Sequence, residues 1–211
     1  MKTLSEFTKS KDFLICVDSD GCAMDTMNIK HLRCFGPLLV EQWGLQLWRE
    51  PILDRWNEVN LYSMTRGINR FLGLGMLLEE INETYTFIEG AKEFAEWARN
   101  AQELSNATVL AMAKSSNQKI FKEAWLWSES VNKAITKLPV SEKIPFSGVQ
   151  QSLVLAKEFA DVCIISAANP EAVIEEWTQH NLIQYVDVSL AQDIGPKEYC
   201  ISKMLEYDYD L

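Results

Sequence analysis

Three short runs of apolar residues predict β-strands at Phe13–Val17, at residues 162–165 and around residues 185–188. The first two runs are continuous, which is typical of strands that a parallel sheet buries on both faces. Apolar residues at helical spacing precede the second run (Val149, Leu153, Ala156 and Ala160) and also follow the second and third runs. This alternation of strands and helices predicts an α/β fold with a parallel sheet.

A long interval separates the first two predicted strands. Between about residues 28 and 144 the pattern is helical, with no convincing strand alternation. Six of the seven tryptophans fall in this interval. The favoured interpretation is that they fill the core of a helical insertion. The alternative is that one or two of them line a substrate pocket.

Composition narrows the class of protein. With 47% hydrophobic and 24% charged residues, the 211-residue chain is expected to form a soluble globular fold. Its net charge of −10 disfavours nucleic acid and anionic membranes as partners. Five cysteines without a CxxC pair indicate neither a zinc site nor a disulfide framework. Because the N-terminal residues also show no targeting signal, we expect a cytoplasmic protein.

Two carboxylates follow the first predicted strand directly, at Asp18 and Asp20. Ligands of parallel α/β sheets bind at the carboxyl ends of the strands, and Gly21 permits a sharp turn there. Such a pair can hold Mg²⁺, which prefers oxygen ligands. One carboxylate can attack phosphorus, and the other can move a proton to the leaving oxygen.

Groups suited to an anion follow the other two predicted strands. Ser166 ends the second, and Asn169 and Pro170 are typical of a helix beginning there, so a hydroxyl and free backbone amides such as that of Ala167 meet at a helix N-terminus. Lys197 lies beyond the third strand, where its ammonium group can neutralise phosphate.

This order of elements resembles the haloacid dehalogenase-like (HAD) hydrolase superfamily. The matching stretches are FLICVDSDG, VCIIS and the lysine of GPKEYCISKML. The resemblance implies a Rossmann-like core formed by residues 1–24 and 147–211, with residues 25–146 as an α-helical cap. It also implies Asp18 as the nucleophile and Asp20 as the general acid and base. Mg²⁺ would bind to Asp18 and the backbone carbonyl of Asp20, and phosphate to Ser166, Ala167 and Lys197.

The function implied by this resemblance is Mg²⁺-dependent hydrolysis of a small phosphorylated metabolite through a phosphoaspartate. Dehalogenase and phosphonatase branches of the superfamily lack an aspartate two places after the nucleophile, so Asp20 favours phosphate-ester chemistry. A sugar-phosphate mutase fits the same residues less often. The alternative from another class is a non-catalytic binding or regulatory protein with a degenerate HAD fold.

One expected part of the superfamily pattern is missing. Relatives continue after the lysine helix with another strand and an acidic GDxxxD motif that completes the Mg²⁺ site, whereas this sequence ends in EYDYDL. Asp208 and Asp210 fit an acidic loop better than that motif. We therefore expect a truncated or self-associating chain with weak Mg²⁺ binding and low turnover. Self-association would use the unpaired sheet edge beside Asp18, giving a homo-oligomer.

Four residues of the expected cap are candidates for substrate contact. Arg66 and Arg70 are four apart and are predicted to share a helix face, where they could grip an anionic group. A solvated face or ion pairs with the many acidic residues is the favoured interpretation. Lys30 and His31 come soon after the first motif, and a structural role is favoured for His31.

Overall fold

The computed structural model describes residues 4–210 and contains a parallel sheet of three strands. They are β1 (Phe13–Val17), β2 (Ala160–Ile165) and β3 (Val188–Leu190), in the order β1-β2-β3. The parallel α/β prediction is thus confirmed. The third strand begins later than the sequence pattern predicts, because Ile183–Tyr185 form a 3₁₀ turn. Asp187 then joins the chain to β2, its backbone N–H donating to the Val162 carbonyl.

Ten α-helices occur among the described residues: α1 (Met27–Lys30), α2 (Gly36–Gln42), α3 (Arg49–Asn57), α4 (Arg70–Thr84), α5 (Ala91–Asn100), α6 (Asn106–Ser115), α7 (Lys119–Thr136), α8 (Val149–Phe159), α9 (Pro170–Gln179) and α10 (Lys197–Leu205). Two π-helical turns, His31–Phe35 and Glu58–Tyr62, continue α1 and α3. Ala160 is the first residue of β2 rather than the last of the helix before it.

The chain divides into two compact units. Within residues 4–210, one unit comprises the residues up to Met27 and from Pro139 onward, and the other comprises Asn28–Leu138. The motif resemblance implies boundaries at residues 24/25 and 146/147. Backbone hydrogen bonds explain the difference, because the Asp25 N–H donates to the Ile144 carbonyl and the Phe146 N–H to the Ala23 carbonyl. These bonds join the returning segment to the loop after β1.

The regular elements of the second unit are all helices, and aromatic side chains fill its core. Trp127 on α7 is fully buried. Its ring contacts those of Phe35, Trp43, Trp56 and Phe71, with centroids 5.8–6.4 Å apart. Its indole N–H donates to the Phe35 carbonyl at 3.3 Å. The core interpretation of the tryptophans is confirmed for Trp56 and Trp127, whereas the other four in this unit are partly buried against the same core.

In the α/β unit, apolar side chains cover both faces of β2. Val162 and Ile164 face a cluster that includes Leu153 of α8 and Trp177 of α9. Cys163 and Ile165 face a second cluster that includes Met204 of α10. Every residue of β2 is buried, as its continuous apolar run predicts.

The strand β1 lies at the edge of this sheet within residues 4–210. Phe13 is 47% exposed and Cys16 is exposed as well, although the continuous apolar run that contains them predicts a strand buried on both faces. Cys16 pairs with Cys163 on β2 in the sheet register, and Cys163 is buried. The side chains of the central strand are therefore buried, whereas those of the neighbouring edge strand are partly exposed. Self-association through this edge stays a prediction. None of the described helices combines the length and apolarity needed to cross a membrane.

A buried carboxylate joins both ends of the described chain to β2. Asp161 is 1% exposed. It accepts hydrogen bonds from the Ser10 N–H (2.8 Å) and hydroxyl (2.6 Å), the Lys11 N–H (3.2 Å) and the Tyr209 hydroxyl (2.9 Å). Burial raises the pKa of Asp161, but these donors together outweigh it and leave the pKa below its usual value.

We expect Asp161→Asn to lower the free energy of unfolding by about 2–4 kcal/mol near neutral pH, because several donors lose a charged acceptor. The folded state favours the ionised carboxylate. Its stabilisation is therefore complete above the ordinary aspartate pKa of about 3.9 and is lost as the pH falls through the lower folded value. Urea unfolding of both proteins across this range measures the difference. The exposed neighbour supplies a control, Glu158→Gln. An equal gap between wild type and Asp161→Asn at every pH would contradict the assignment.

Candidate active site

Asp18 follows the carboxyl end of β1 and contacts Lys197, a residue distant in the sequence. One carboxylate oxygen, Oδ2, lies 2.8 Å from the ammonium Nζ of Lys197, and the other accepts the Ser19 N–H at 2.9 Å. Lys197 is the first residue of α10, where a positive charge opposes the helix dipole. The carboxylate offsets that cost. Both side chains stay about one-third exposed, so the pair is accessible to a ligand.

The loop after β1 turns back on itself through its own backbone. Gly21 has a φ of 75°, a left-handed conformation that favours glycine, and its N–H donates to the Met24 carbonyl at 2.8 Å. The Met24 N–H in turn donates to the Ser19 carbonyl at 2.8 Å. This turn brings the Thr26 hydroxyl to within 2.6 Å of Asp20 Oδ1.

A buried hydrogen bond fixes the residue between the two aspartates. The indole N–H of Trp177 donates to the Ser19 hydroxyl at 3.0 Å, and both side chains are fully buried. Trp177 lies on α9, so this contact connects that helix to the loop carrying Asp18 and Asp20. Neither Trp177 nor Thr26 was identified from the sequence, because nothing in the local pattern shows which residues the loop will meet.

Ser166 follows β2 at the same edge of the sheet. The register pairs Val17 with Ile164, so Asp18 and Ser166 leave their strands within about one residue of each other. The Ser166 hydroxyl accepts the Ala168 N–H at 3.1 Å. Ala167 lies between them in a bend before α9. The Asn169 side chain caps α9 and Pro170 occupies its first turn, as the sequence indicates.

The donor set at this edge suits a magnesium ion that keeps water ligands. No group of three or more His, Cys, Asp or Glu side chains within residues 4–210 could hold a metal. Mg²⁺ is commonly held by one or two carboxylates with water and a substrate phosphate, and Asp18 together with the Asp20 carbonyl fits that requirement. Asp210 lies elsewhere, because its N–H donates to the carbonyl of Asp12, just before β1 begins.

The two arginines of the helical unit do not share a helix face, which corrects the sequence prediction. Arg66 is exposed in a turn and donates to the Leu61 carbonyl at 3.0 Å. Arg70 begins α4 and is buried rather than solvated. Its guanidinium donates to Ser128 Oγ (3.1 Å) and Asn132 Oδ1 (2.7 Å), and lies 5.0 Å from the ring centre of Phe35. The chain turns before α4 because Asn69 caps that helix.

His31 is buried in the helical unit, as the structural interpretation expects. Its ring stacks on Phe35 at 4.6 Å between centroids, and Nδ1 accepts the indole N–H of Trp56 at 3.1 Å. Lys30 is buried next to it. Substrate contact by Lys30, His31, Arg66 or Arg70 stays a prediction.

Comparison with known proteins gives matches at the level of structure. No model of a known protein family and no curated protein sequence matches the chain. A similar solved structure is that of a predicted phosphatase from Clostridium acetobutylicum, which is 10% identical, has a TM-score of 0.44, and aligns over 93% of this chain and 70% of its own. Another is a HAD-superfamily hydrolase of subfamily IA from Geobacter sulfurreducens PCA, at 13% identity, a TM-score of 0.37, and coverage of 95% and 75%.

The parallel sheet and the helical unit that follows β1 in the chain agree with the fold that the motif resemblance implies. The structural likenesses have TM-scores below 0.5, so they do not decide activity. Activity has to be argued from Asp18 and its surroundings.

Proposed function

We propose that this HAD-like chain is a phosphatase that hydrolyses a small phosphorylated metabolite through a phosphoaspartate on Asp18. The observation that supports this most directly is the position of the Asp18 carboxylate. It lies at the carboxyl end of a parallel strand, one oxygen on Lys197 Nζ and the other on the Ser19 N–H. A lysine beside a nucleophilic carboxylate reduces its repulsion of an incoming phosphate.

The reaction takes two displacements at phosphorus. In the first, an Asp18 oxygen bonds to phosphorus while the bond to the leaving alcohol breaks, and Asp20 gives its proton to the alcohol oxygen. In the second, Asp20 takes a proton from water as the water oxygen bonds to phosphorus. The bond between Asp18 and phosphorus then breaks, which releases inorganic phosphate and restores the Asp18 carboxylate.

Anion binding at the same edge would hold the phosphate in place. The Ser166 hydroxyl and the Ala167 N–H before α9 are suited to phosphate oxygens, and the α9 dipole adds partial positive charge. Lys197 supplies a full positive charge. Mg²⁺ held by Asp18 and the Asp20 carbonyl would neutralise further charge on the phosphoryl group.

Hydrolysis of p-nitrophenyl phosphate with and without Mg²⁺, followed by borohydride trapping, tests this proposal. We expect phosphate release that depends on Mg²⁺ and becomes measurable at millimolar concentrations, since protein ligands for the ion are few. Borohydride reduces an aspartyl phosphate to homoserine, so mass spectrometry of the peptide containing Asp18 should detect that product. No trapping should occur without substrate.

Two results would overturn the proposal. One is a folded protein that releases no phosphate at any Mg²⁺ concentration. The other is release with no modification of Asp18 under trapping conditions that capture a known phosphoaspartate. In either case a binding role for the same sheet edge would replace catalysis.

A further inference from the structure

Two cysteines lie side by side in the sheet, one on β1 and one on β2. The register pairs Cys16 with Cys163. Leu14 packs against the apolar cluster that contains Cys163, and Cys16 comes two residues later on β1, so both cysteine side chains project from the same face of the sheet. Their thiol groups are close enough to share a hydrogen bond. The fold therefore brings together two sulfur atoms from distant parts of the chain.

The two thiols differ in their access to solvent. Cys16 is exposed on the edge strand, whereas Cys163 is fully buried. A small oxidant in solution therefore meets the sulfur of Cys16 first and finds a second thiol directly beside it. An exposed cysteine next to a second, resolving cysteine is typical of redox-sensitive sites.

The backbone geometry permits a disulfide between these residues. Neighbouring parallel strands lie about 4.7–4.9 Å apart, and disulfides usually join residues whose Cα atoms are about 4.4–6.8 Å apart. The side chains of Cys16 and Cys163 leave the sheet in the same direction, so neither strand has to turn. Both residues are free thiols in this structure.

We propose that Cys16 and Cys163 are a redox-sensitive pair, which a peroxide converts to a disulfide between β1 and β2. The sulfur of Cys16 attacks a peroxide oxygen, the O–O bond breaks, and water leaves, which produces a sulfenic acid on Cys16. The sulfur of Cys163 then bonds to that of Cys16, and the hydroxyl group leaves as a second water with the thiol proton. The two thiols lose two electrons and two protons, and the peroxide is reduced to two molecules of water.

The disulfide makes the pairing of the edge strand covalent. Among the described strands β1 pairs with β2 alone, and Asp18 directly follows β1. A bond from Cys16 to the buried centre of the sheet therefore fixes the strand end that carries Asp18. The pair requires no phosphatase activity, so a covalent bond and a change in stability test it independently of the proposed function.

Oxidation of the folded protein with hydrogen peroxide, followed by tryptic mapping without reduction, tests the pairing. Trypsin leaves Cys16 in the peptide of residues 12–30 and Cys163 in that of residues 158–197. Because Cys22 shares the first peptide, Cys22→Ser is the reference protein. We expect the two peptides to be joined with the loss of two hydrogens, and to separate in dithiothreitol. Oxidation should also raise the urea midpoint of the reference protein.

A matched variant removes only the exposed thiol. Cys16→Ser in the same background should give neither joined peptides nor a higher midpoint, and the same peroxide treatment accounts for oxidation of methionines. Circular dichroism establishes that each reduced variant is folded. Cys163 is left unchanged, because serine there would bury a hydroxyl group in the apolar core.

Three results would overturn the pairing. One is oxidation of Cys16 to a sulfinic acid with no joined peptides. Another is a bond to the peptide of residues 198–203, which would make Cys200, a member of the same apolar cluster, the partner. The third is a disulfide-linked dimer as the main product on a non-reducing gel. Joined peptides without a higher urea midpoint would overturn the fixing of β1.

Discussion

Replacing Asp18 by asparagine is expected to lower kcat for p-nitrophenyl phosphate by at least about 10³-fold. The amide nitrogen and oxygen of asparagine cannot form the phosphoaspartate. The substitution also leaves the ammonium group of Lys197, 2.8 Å from Oδ2 in the wild type, beside a neutral group. Steady-state rates at saturating substrate, with matched Mg²⁺, measure the loss.

A carboxylate at the opposite end of the same strand supplies the matched control. Asp12 is exposed and precedes β1, whereas Asp18 follows it. Asp12→Asn should retain activity within about 2-fold, because surface substitutions away from a site have small effects. An Asp18→Asn protein that hydrolyses the substrate at a comparable rate would contradict nucleophilic attack by Asp18, and borohydride trapping would then be expected to fail.

Truncating Trp127 is expected to reduce stability more than the other substitutions considered for this protein. Trp127→Ala removes a fully buried ring and should lower the free energy of unfolding by about 3–5 kcal/mol. Four aromatic rings lose a central partner, and the Phe35 carbonyl loses the indole donor. Urea unfolding followed by far-ultraviolet circular dichroism measures the change.

A substitution of the neighbouring tryptophan on α7, Trp125, serves as the control. It shows whether the loss of stability comes from the buried position or from removing any tryptophan of this helix. Trp125 is partly buried against the same cluster. Trp125→Ala should therefore cost less, below about 2 kcal/mol. Equal decreases in the free energy of unfolding for the two substitutions would contradict the central position of Trp127 in the core of the helical unit. A loss below about 1 kcal/mol for Trp127→Ala would mean that the cavity collapses readily.

The local pattern determined the elements closest to the site. Continuous apolar residues predicted β1 and most of β2. Burial on both faces explains that pattern for β2, whereas β1 is an edge strand with exposed positions. Asn169 followed by Pro170 predicted where α9 begins, since both residue types have a local physical reason to start a helix. Asp18, Ser166 and Lys197 could be chosen because each follows or begins such an element.

Tertiary structure decided which of those residues meet. Asp18 and Lys197 are 179 positions apart in the numbering, and only the sheet and α10 bring their side chains within 2.8 Å. The partners Trp177 for Ser19 and Thr26 for Asp20 also depend on how the loop folds back, which no periodicity records. Arg66 and Arg70 show that a local pattern can also predict a contact that the fold does not form. Spacing of four predicted a shared helix face, but the cap at Asn69 begins the helix between them.

The sequence by itself determined the parallel α/β class and the helical insertion, and it supplied the residues that we propose for phosphate chemistry. Those features depend on hydrophobic period, helix caps and side-chain type, which are local properties of the chain. The tertiary structure alone decided the unit boundaries, the exposure of Cys16 on the edge strand, the burial of Arg70 and the hydrogen bond from Thr26 to Asp20. Each of these depends on what packs against a residue from a distant part of the chain, and a single sequence does not encode that in any local pattern.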